Sequence, residues 1–191
     1  MSNISLYFVR HGQTDYNKQG RVQGHLQIPL NETGRSQAKD LVDQIGTIQF
    51  DHCYSSDLIR AKETAEIILK DLAIEIIEDE RLRERNLGKH EGTPIEEYLA
   101  YKKIDDTGIE KNSDMSKRIK HFIADISIKH PNATILVVSH GGLIKRLILD
   151  IKNDESIDVI VDNTAFLHLR SENNNLEIQK MNGIELKKIS L

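Results

Sequence analysis

Two histidines stand at matching places in the sequence, each just after an apolar run and just before glycine. The first lies in Val9-Arg10-His11-Gly12 and the second in Val138-Ser139-His140-Gly141-Gly142. An imidazole can act as a nucleophile or as a general acid or base, and glycine lets the backbone approach a ligand closely. A single histidine in such a place is more often a packed residue, but two in matching contexts indicate a shared reactive site.

Arginines and a glycine pair near these histidines indicate that the ligand is an anion. Arg10 precedes His11, and Arg60 lies early in a predicted helix, where its charge opposes the helix dipole unless an anion is bound. A guanidinium group matches phosphate oxygens well, and Gly141-Gly142 opens another predicted helix with free backbone N–H donors. Glu84 lies among three arginines and, taken alone, is a surface ion-pair partner. Together these residues favour phosphate chemistry.

The hydrophobic pattern predicts the elements that must hold these residues. Apolar runs predict strands over residues 4–9, 50–54, 74–77 and 134–138, and a C-terminal hairpin of strands 164–169 and 176–180. Helical spacing predicts helices containing residues 38–45, 58–72, 95–101, 115–126 and 143–151, the second of them capped by Ser55 or Ser56. This alternation predicts one three-layer α/β domain over residues 1–191, with a mainly parallel central sheet and helices on both faces. Both histidines would then lie at the carboxyl edge of the sheet, where ligands bind in such folds.

Composition narrows the classes of function. The chain has 191 residues and a formal net charge of −4, so it offers no basic field to recruit nucleic acid or an anionic membrane. No apolar run approaches the roughly 18 residues of a membrane span, and the first residues lack a signal-peptide pattern, which predicts a cytoplasmic protein. The single cysteine, Cys53, is predicted to be a small buried residue, and no metal-binding motif is present. The oligomeric state stays open, with a homodimer among the options.

An ordered series of motifs resembles the histidine phosphatase superfamily, the group of phosphoglycerate mutase-like proteins. A single Arg-His-Gly would be weak evidence, whereas this series covers most of residues 4–165 in the family's order. The matching blocks are Leu6 to Thr14 with Asn17, Gln23-Gly24, Pro29 to Gly34, Tyr54 to Leu58, Arg60-Ala61 with Thr64-Ala65, Leu82 to Gly88, Glu91-Gly92, Val138 to Gly142 and Asn163.

The resemblance implies catalytic or phosphate-binding roles for several of the matching residues. His11 would attack phosphorus as a neutral imidazole and carry the phosphoryl group as phosphohistidine. Arg10, Arg60 and His140 would surround the transferring group, with His140 protonated when phosphate is bound. Glu84 would protonate the leaving oxygen and then take a proton from the attacking water. The other implied phosphate-binding residues are Asn17, Gln23, Gly24 and Gly141. The implied enzyme is a phosphoric monoester hydrolase that uses neither metal nor cofactor and acts on a small phosphorylated metabolite.

Two other functions fit parts of the pattern. A phosphoglycerate mutase would need extra cover over its phosphohistidine, but only about fifty residues separate Glu84 from Val138, which favours hydrolysis. A non-catalytic module that binds a phospho-ligand would be expected to have lost His11 or Glu84, and both are present. The chain departs from the family's pattern at residues 108–113, where a Pro-x-Gly-Glu-Ser segment is common, and at residues 25–27, where an acidic residue is common. The substrate contacts of the segment 89–113 are therefore left open.

Overall fold

One six-stranded sheet forms the centre of the molecule. The structure is a computed structural model and describes residues 3–102, 104, 108–172 and 175–188. The strands are β1 (Asn3–Arg10), β2 (His52–Ser55), β3 (Ile76–Glu78), β4 (Thr134–Ser139), β5 (Ile157–Glu172) and β6 (Asn175–Lys188). They lie in the order β3-β2-β4-β1-β5-β6. The first four are mutually parallel, whereas β5 pairs antiparallel with β1 and β6 antiparallel with β5. The predicted α/β fold with a mainly parallel sheet is confirmed.

Helices cover both faces of this sheet. They are α1 (Asp15–Lys18), α2 (Glu32–Ile45), α3 (Ile59–Ile68), α4 (Ile95–Lys102), α5 (Asn112–Lys129) and α6 (Gly141–Lys152). On one face, buried residues of α2 and α3 form an apolar cluster with Val9 and Val138. On the other face, buried residues of α5 and α6 form a second cluster with Phe8 and Val137. Because successive strand residues point to opposite faces, both sides of residues 6–9 in β1 and 135–138 in β4 pack against apolar clusters, and these residues are apolar or aromatic.

The two histidine motifs end neighbouring strands. β1 and β4 pair in parallel, with Val9 opposite Val138 and Arg10 opposite Ser139. His11 and His140, each the first residue beyond its strand, therefore leave the sheet at the same edge. This is the placement that the apolar runs predict.

The C-terminal hairpin is much longer than the sequence predicts. β5 and β6 cover residues 157–172 and 175–188 instead of 164–169 and 176–180. The pairing register shifts between Val161 and Phe166, and Thr164 in this bulge has a φ of 58°. The polar bulge looks like a loop in the sequence, and β6 is an edge strand whose many exposed polar residues hide its pattern.

Smaller corrections concern β2, β3 and α3. Each of these strands begins two residues later than predicted, at positions 52 and 76, and α3 ends at residue 68 instead of 72. The predicted cap by Ser55 or Ser56 is wrong, because Leu58 is the N-cap residue and makes no side-chain capping bond. The backbone N–H of Ile59 instead donates to Oε1 of Gln27 at 2.8 Å. A cap supplied by a distant loop leaves no local signal in the helix sequence.

Candidate active site

His11 is buried, and its two ring nitrogens have different partners. Nδ1 lies 2.7 Å from the carbonyl oxygen of Gly12, and since a carbonyl only accepts, Nδ1 carries the proton. Nε2 then carries a lone pair, which accepts a hydrogen bond from Nε of Arg60 at 3.3 Å. Burial, and then the charges of Arg60 and Arg10, hold the pKa of His11 well below its ordinary range. The ring is therefore neutral, with a lone pair on Nε2.

Backbone hydrogen bonds fix the position of His11. Its N–H donates to the carbonyl of Ser139 at 3.0 Å, which extends the pairing of β1 with β4 by one residue. Its carbonyl accepts from the side-chain amide of Asn163 at 3.0 Å and from the N–H of Thr164 at 3.4 Å. The bulge in β5 thus holds the main chain of His11 from the other side.

Glycines let the loop after β1 pack directly against two helices. The N–H of Gly12 donates to Oγ1 of Thr64 at 3.1 Å, and this hydroxyl donates to the carbonyl of Arg60 at 2.7 Å. A Cβ on Gly12 would lie 2.4 Å from the carbonyl oxygen of Gly34, and one on Gly34 would lie 2.1 Å from that of Gln13. The sequence suggests no role for Thr64, which links α3 to the loop that carries His11.

Arg60 is fully buried, and all three of its guanidinium nitrogens donate hydrogen bonds. Nε donates to His11, Nη1 to the carbonyl of Leu26 at 2.8 Å and Nη2 to that of Gly24 at 2.8 Å. Burial lowers the pKa of Arg60 to about 10, a shift that the charge of Glu84 opposes, so the side chain stays cationic at neutral pH. Gly24, predicted to bind phosphate, has a φ of 51° and contacts Arg60 through its carbonyl.

Several buried polar atoms at this edge have no hydrogen-bond partner among the described residues. They are Nε of Arg10 and both ring nitrogens of His140. The ring of His140 lies 5.2 Å from that of His11, and the Nη1 group of Arg10 donates to the carbonyl of Val161. Burial, followed by the charge of Arg60, holds the pKa of His140 well below its ordinary range. Buried polar atoms are normally paired, so this group indicates a site for an anionic ligand.

Glu84 reaches the same edge from the irregular segment after β3. Its Oε2 accepts a hydrogen bond from the N–H of Gly142 at 3.0 Å, and Oε1 accepts from the N–H of Arg85 at 2.8 Å. A Cβ on Gly142 would lie 2.2 Å from Oε1, so a side chain at this position would displace the carboxyl group of Glu84. Gly141, predicted to bind phosphate, lies beside Arg10, since a Cβ there would be 3.2 Å from Nε of the arginine.

Asn17 and Gln23 lie around Thr14 at the start of α1, a helix that the sequence pattern does not predict. Thr14 and Asn17 form a capping box, in which Oδ1 of Asn17 accepts from the N–H of Thr14 at 3.1 Å. The hydroxyl of Thr14 donates to Oε1 of Gln23 at 3.0 Å. Because the amide oxygens are occupied, the NH₂ groups are the atoms left to donate to a ligand. A phosphate contact by either residue stays a prediction.

Other potential reactive groups lie apart from this cluster. Cys53 is buried in β2, and burial raises the pKa of its thiol to about 12, which makes it unreactive. His52 and His130 contact each other, with ring centroids 3.8 Å apart, and His168 stacks on Tyr7. In the part of the chain that the structure describes, no three His, Cys, Asp or Glu side chains are grouped so that they could hold a metal ion. Within the same residues, no helix combines the length and the apolar character of a membrane span.

Comparison with known proteins gives the family. The model of the histidine phosphatase superfamily (branch 1) matches residues 6–183. The chain is 36% identical over 154 residues to the uncharacterized phosphatase PhoE of Bacillus subtilis, covering 79% of each. It is 31% identical over 183 residues to a metal-independent phosphoserine phosphatase of Arabidopsis thaliana, covering 87% of this chain and 77% of the relative. Other relatives are named as probable phosphoglycerate mutases.

A solved structure shows the same fold. The YhfR protein of Bacillus stearothermophilus superposes with a TM-score of 0.85 at 28% identity, covering 92% of this chain and 95% of the other. The resemblance that the motifs indicate is thus confirmed by a family model, by curated relatives and by a structure. The chain belongs to the histidine phosphatase superfamily, branch 1.

Proposed function

We propose that this chain is a phosphoric monoester hydrolase that works without metal and forms a phosphohistidine on Nε2 of His11. The observation that carries the proposal is the state of His11. Its proton is held on Nδ1 by the carbonyl of Gly12, so the lone pair of Nε2 is the one directed at the buried cations. A neutral imidazole with its lone pair next to cations can attack the phosphorus of an anionic phosphate ester.

In the first step, Nε2 of His11 attacks phosphorus in line, an N–P bond forms and the bond from phosphorus to the ester oxygen breaks. Glu84, in its carboxylic acid form, donates a proton to the leaving oxygen, so the alcohol departs neutral. Arg10, Arg60 and His140 offset the charge on the equatorial phosphoryl oxygens. The donors of Arg10 and His140 that lack a partner among the described residues are the ones available for these oxygens.

In the second step, water attacks the phosphorus of phosphohistidine. The carboxylate of Glu84 takes a proton from the water, the N–P bond breaks and phosphate leaves. His11 recovers its lone pair on Nε2 and keeps its proton on Nδ1 throughout, while Glu84 ends protonated for the next cycle. Each turnover consumes one water and releases one alcohol and one phosphate.

The charge of the side chains takes the place of a metal ion. The buried Arg60 and the partly buried Arg10 supply fixed positive charge, and a bound phosphate favours the protonated form of His140 that burial suppresses in the empty site. The relative from Arabidopsis carries metal independence in its name, which is consistent with this arrangement.

Hydrolysis is favoured over phosphoryl transfer between metabolites. Between Glu84 and β4, the described residues contain only the eight-residue α4 and the eighteen-residue α5, besides short turns, as cover for the site. A substrate of the small phosphorylated metabolite class fits a phosphate site whose donors are buried at the sheet edge. The enzyme class of the relatives, among them a named phosphoserine phosphatase, supports the same conclusion.

The test is hydrolysis of 4-nitrophenyl phosphate by the purified protein from pH 5 to 8, with and without EDTA. We expect turnover that resists EDTA and is lost in His11→Ala. Activity that survives in His11→Ala would rule out the proposed nucleophile, and activity lost with EDTA would rule out metal independence. If the wild type is inactive, conversion of 3-phosphoglycerate to 2-phosphoglycerate would identify a mutase instead.

A further inference from the structure

The segment that carries Glu84 is held by an ion pair outside the phosphate site. We propose that Glu110 and Arg118 are positioning residues for the general acid, so that they control activity on esters with poor leaving groups. This inference rests on the proposed function, since positioning of Glu84 matters for activity only if Glu84 donates a proton.

Arg118 connects helix α5 to the backbone on the N-terminal side of the acid. Its guanidinium is 2.7 Å from Oε1 of Glu110 and 3.0 Å from Oε2, a two-pronged contact. The same group donates to the carbonyl of Arg81 and, at 3.2 Å, to the carbonyl of Glu84 itself. Both side chains of the ion pair are mostly buried, with 18% and 15% exposed.

Glu110 holds the backbone on the C-terminal side of the acid. Its Oε2 accepts from the N–H of Asn86 at 3.2 Å, and its own carbonyl accepts from Nη1 of Arg85 at 2.7 Å. Burial alone would raise the pKa of Glu110, but the hydrogen bonds and charge of Arg118 lower it, so the carboxylate is ionised. The side chains of the ion pair therefore contact the backbone of residues 81, 84 and 86, on both sides of the acid.

Few direct hydrogen bonds hold the carboxyl group of Glu84. It accepts two backbone N–H groups, from Gly142 and from the adjacent Arg85. Its position relative to a leaving oxygen therefore depends on where the backbone of its segment lies. His25 also donates to the carbonyl of Glu84, at 2.9 Å, so loss of the ion pair should loosen the segment without releasing it.

A misplaced acid has a specific kinetic signature. A nitrophenolate is a good leaving group and departs with little protonation, whereas an unsubstituted or electron-rich phenol depends on the proton. Loss of stability or of phosphate affinity would lower kcat/KM for all esters alike. Loss of proton donation lowers it more as the leaving group becomes more basic.

The experiment measures kcat/KM for a series of aryl phosphates of similar shape, from 4-nitrophenyl through phenyl to 4-methoxyphenyl phosphate. The variants are Arg118→Gln and Glu110→Gln, with Glu84→Gln as the reference for a lost acid. Arg146→Gln serves as the matched control. Like Arg118, Arg146 is an arginine with little exposed surface that forms ion pairs, but its partners are Asp150 and Glu155. Thermal unfolding verifies that each variant is folded.

We expect both variants of the ion pair to lose about tenfold on 4-methoxyphenyl phosphate and less than about twofold on 4-nitrophenyl phosphate, short of the loss of about 100-fold or more for Glu84→Gln on the poor ester. The two variants remove opposite charges, so a long-range electrostatic effect on His140 would change kcat/KM in opposite directions in the two variants. Loss of positioning lowers kcat/KM in both. If Arg118→Gln does not fold, the dependence of kcat/KM on the leaving group in Glu110→Gln alone tests the positioning role.

A uniform loss across the series, opposite effects of the two variants, or the same signature in Arg146→Gln would overturn the positioning role. If Glu84→Gln itself shows no dependence on the leaving group, the acid is misassigned and the proposed mechanism fails with it. If Glu84→Gln shows the dependence and the ion-pair variants do not, only the inference about Glu110 and Arg118 fails.

Discussion

Nε of Arg60 donates a hydrogen bond to Nε2 of His11 at 3.3 Å, the nitrogen proposed to attack phosphorus. The contact keeps a positive charge beside the lone pair of Nε2, and this charge opposes protonation of the ring. The contact also orients the imidazole so that Nε2 faces the anion site. It also means that a phosphoryl oxygen and His11 compete for the same N–H group. Arg60 is thus both the residue that orients the nucleophile and a donor that must be shared when substrate binds.

Replacing Arg60 by methionine should weaken both catalysis and folding. We expect kcat/KM to fall by about 100- to 1,000-fold, the range for loss of one donor to transition-state charge. The carbonyls of Leu26 and Gly24 lose their donor, so the free energy of unfolding should fall by about 1–3 kcal/mol in urea denaturation. Arg35→Met, which removes a half-exposed ion pair with Glu63, is the control and should cost less than about 1 kcal/mol with unchanged kinetics. Wild-type kinetics in Arg60→Met would contradict this role.

Anion binding should be coupled to protonation of His140. In the empty site burial and Arg60 lower the pKa of this histidine, while a bound dianion favours its protonated form, so the anion should bind more tightly as pH falls. Sulfate is the suitable probe, because its own charge does not change between pH 5 and 8. Calorimetry should show proton uptake on sulfate binding in the wild type and little in His140→Gln. His130→Gln, at the opposite end of the sheet, should keep the full coupling, and uptake that persists in His140→Gln would place the proton on another group.

Stability should fall as the solution becomes acidic below about pH 6.5. The pKa values of His11 and His140 are lowered well below the ordinary 6.5, so the folded state binds fewer protons than the unfolded chain in this range. A lowered folded pKa gives stability that is complete above the unfolded pKa and is lost as pH falls toward the folded value. Urea denaturation at pH 5 and pH 7.5 should therefore show a smaller difference in His140→Gln than in the wild type. An unchanged difference would mean that carboxylates or other histidines dominate this range.

The parts of the site that the sequence predicts are those with local signals. His11 and His140 each follow an apolar run that predicts a strand and precede a glycine, so their shared edge follows from the pairing of these strands in a parallel sheet. Arg60 is found because a cation in the first turn of a helix is unfavourable without an anion. In each case the residues within a few positions of the side chain are enough to predict where it lies.

The parts that the sequence does not predict depend on contacts between distant residues. Glu84 is predicted only through the family resemblance, because it lies in a segment without periodicity and its position depends on Gly142, 58 residues away. Glu110 lies where the chain departs from the family's usual motif, so the contact of the Glu110–Arg118 pair with the segment of the acid is visible only in the structure. The predicted strand starts only at Thr164, because Asp162 and Asn163 are polar, yet Asn163 and Thr164 both contact the carbonyl of His11.

The contact between Gly34 and Gln13 gives a prediction in which helix propensity and packing have opposite signs. Gly34 lies in α2, where alanine would ordinarily stabilise the helix by about 1 kcal/mol. A Cβ at this position would lie 2.1 Å from the carbonyl oxygen of Gln13, which belongs to the backbone and cannot rotate away. Gly34→Ala should therefore lower the free energy of unfolding by about 1–3 kcal/mol.

The same substitution should reduce activity, because the displaced backbone lies two residues from His11. Ser36→Ala, at an exposed position of the same helix, is the matched control and should raise stability by a few tenths to about 0.5 kcal/mol without changing kcat/KM. Urea denaturation and 4-nitrophenyl phosphate hydrolysis of the two variants measure both effects. A stabilised and fully active Gly34→Ala would show that the loop after β1 can move away from α2, and that its close packing is not what holds the nucleophile in place.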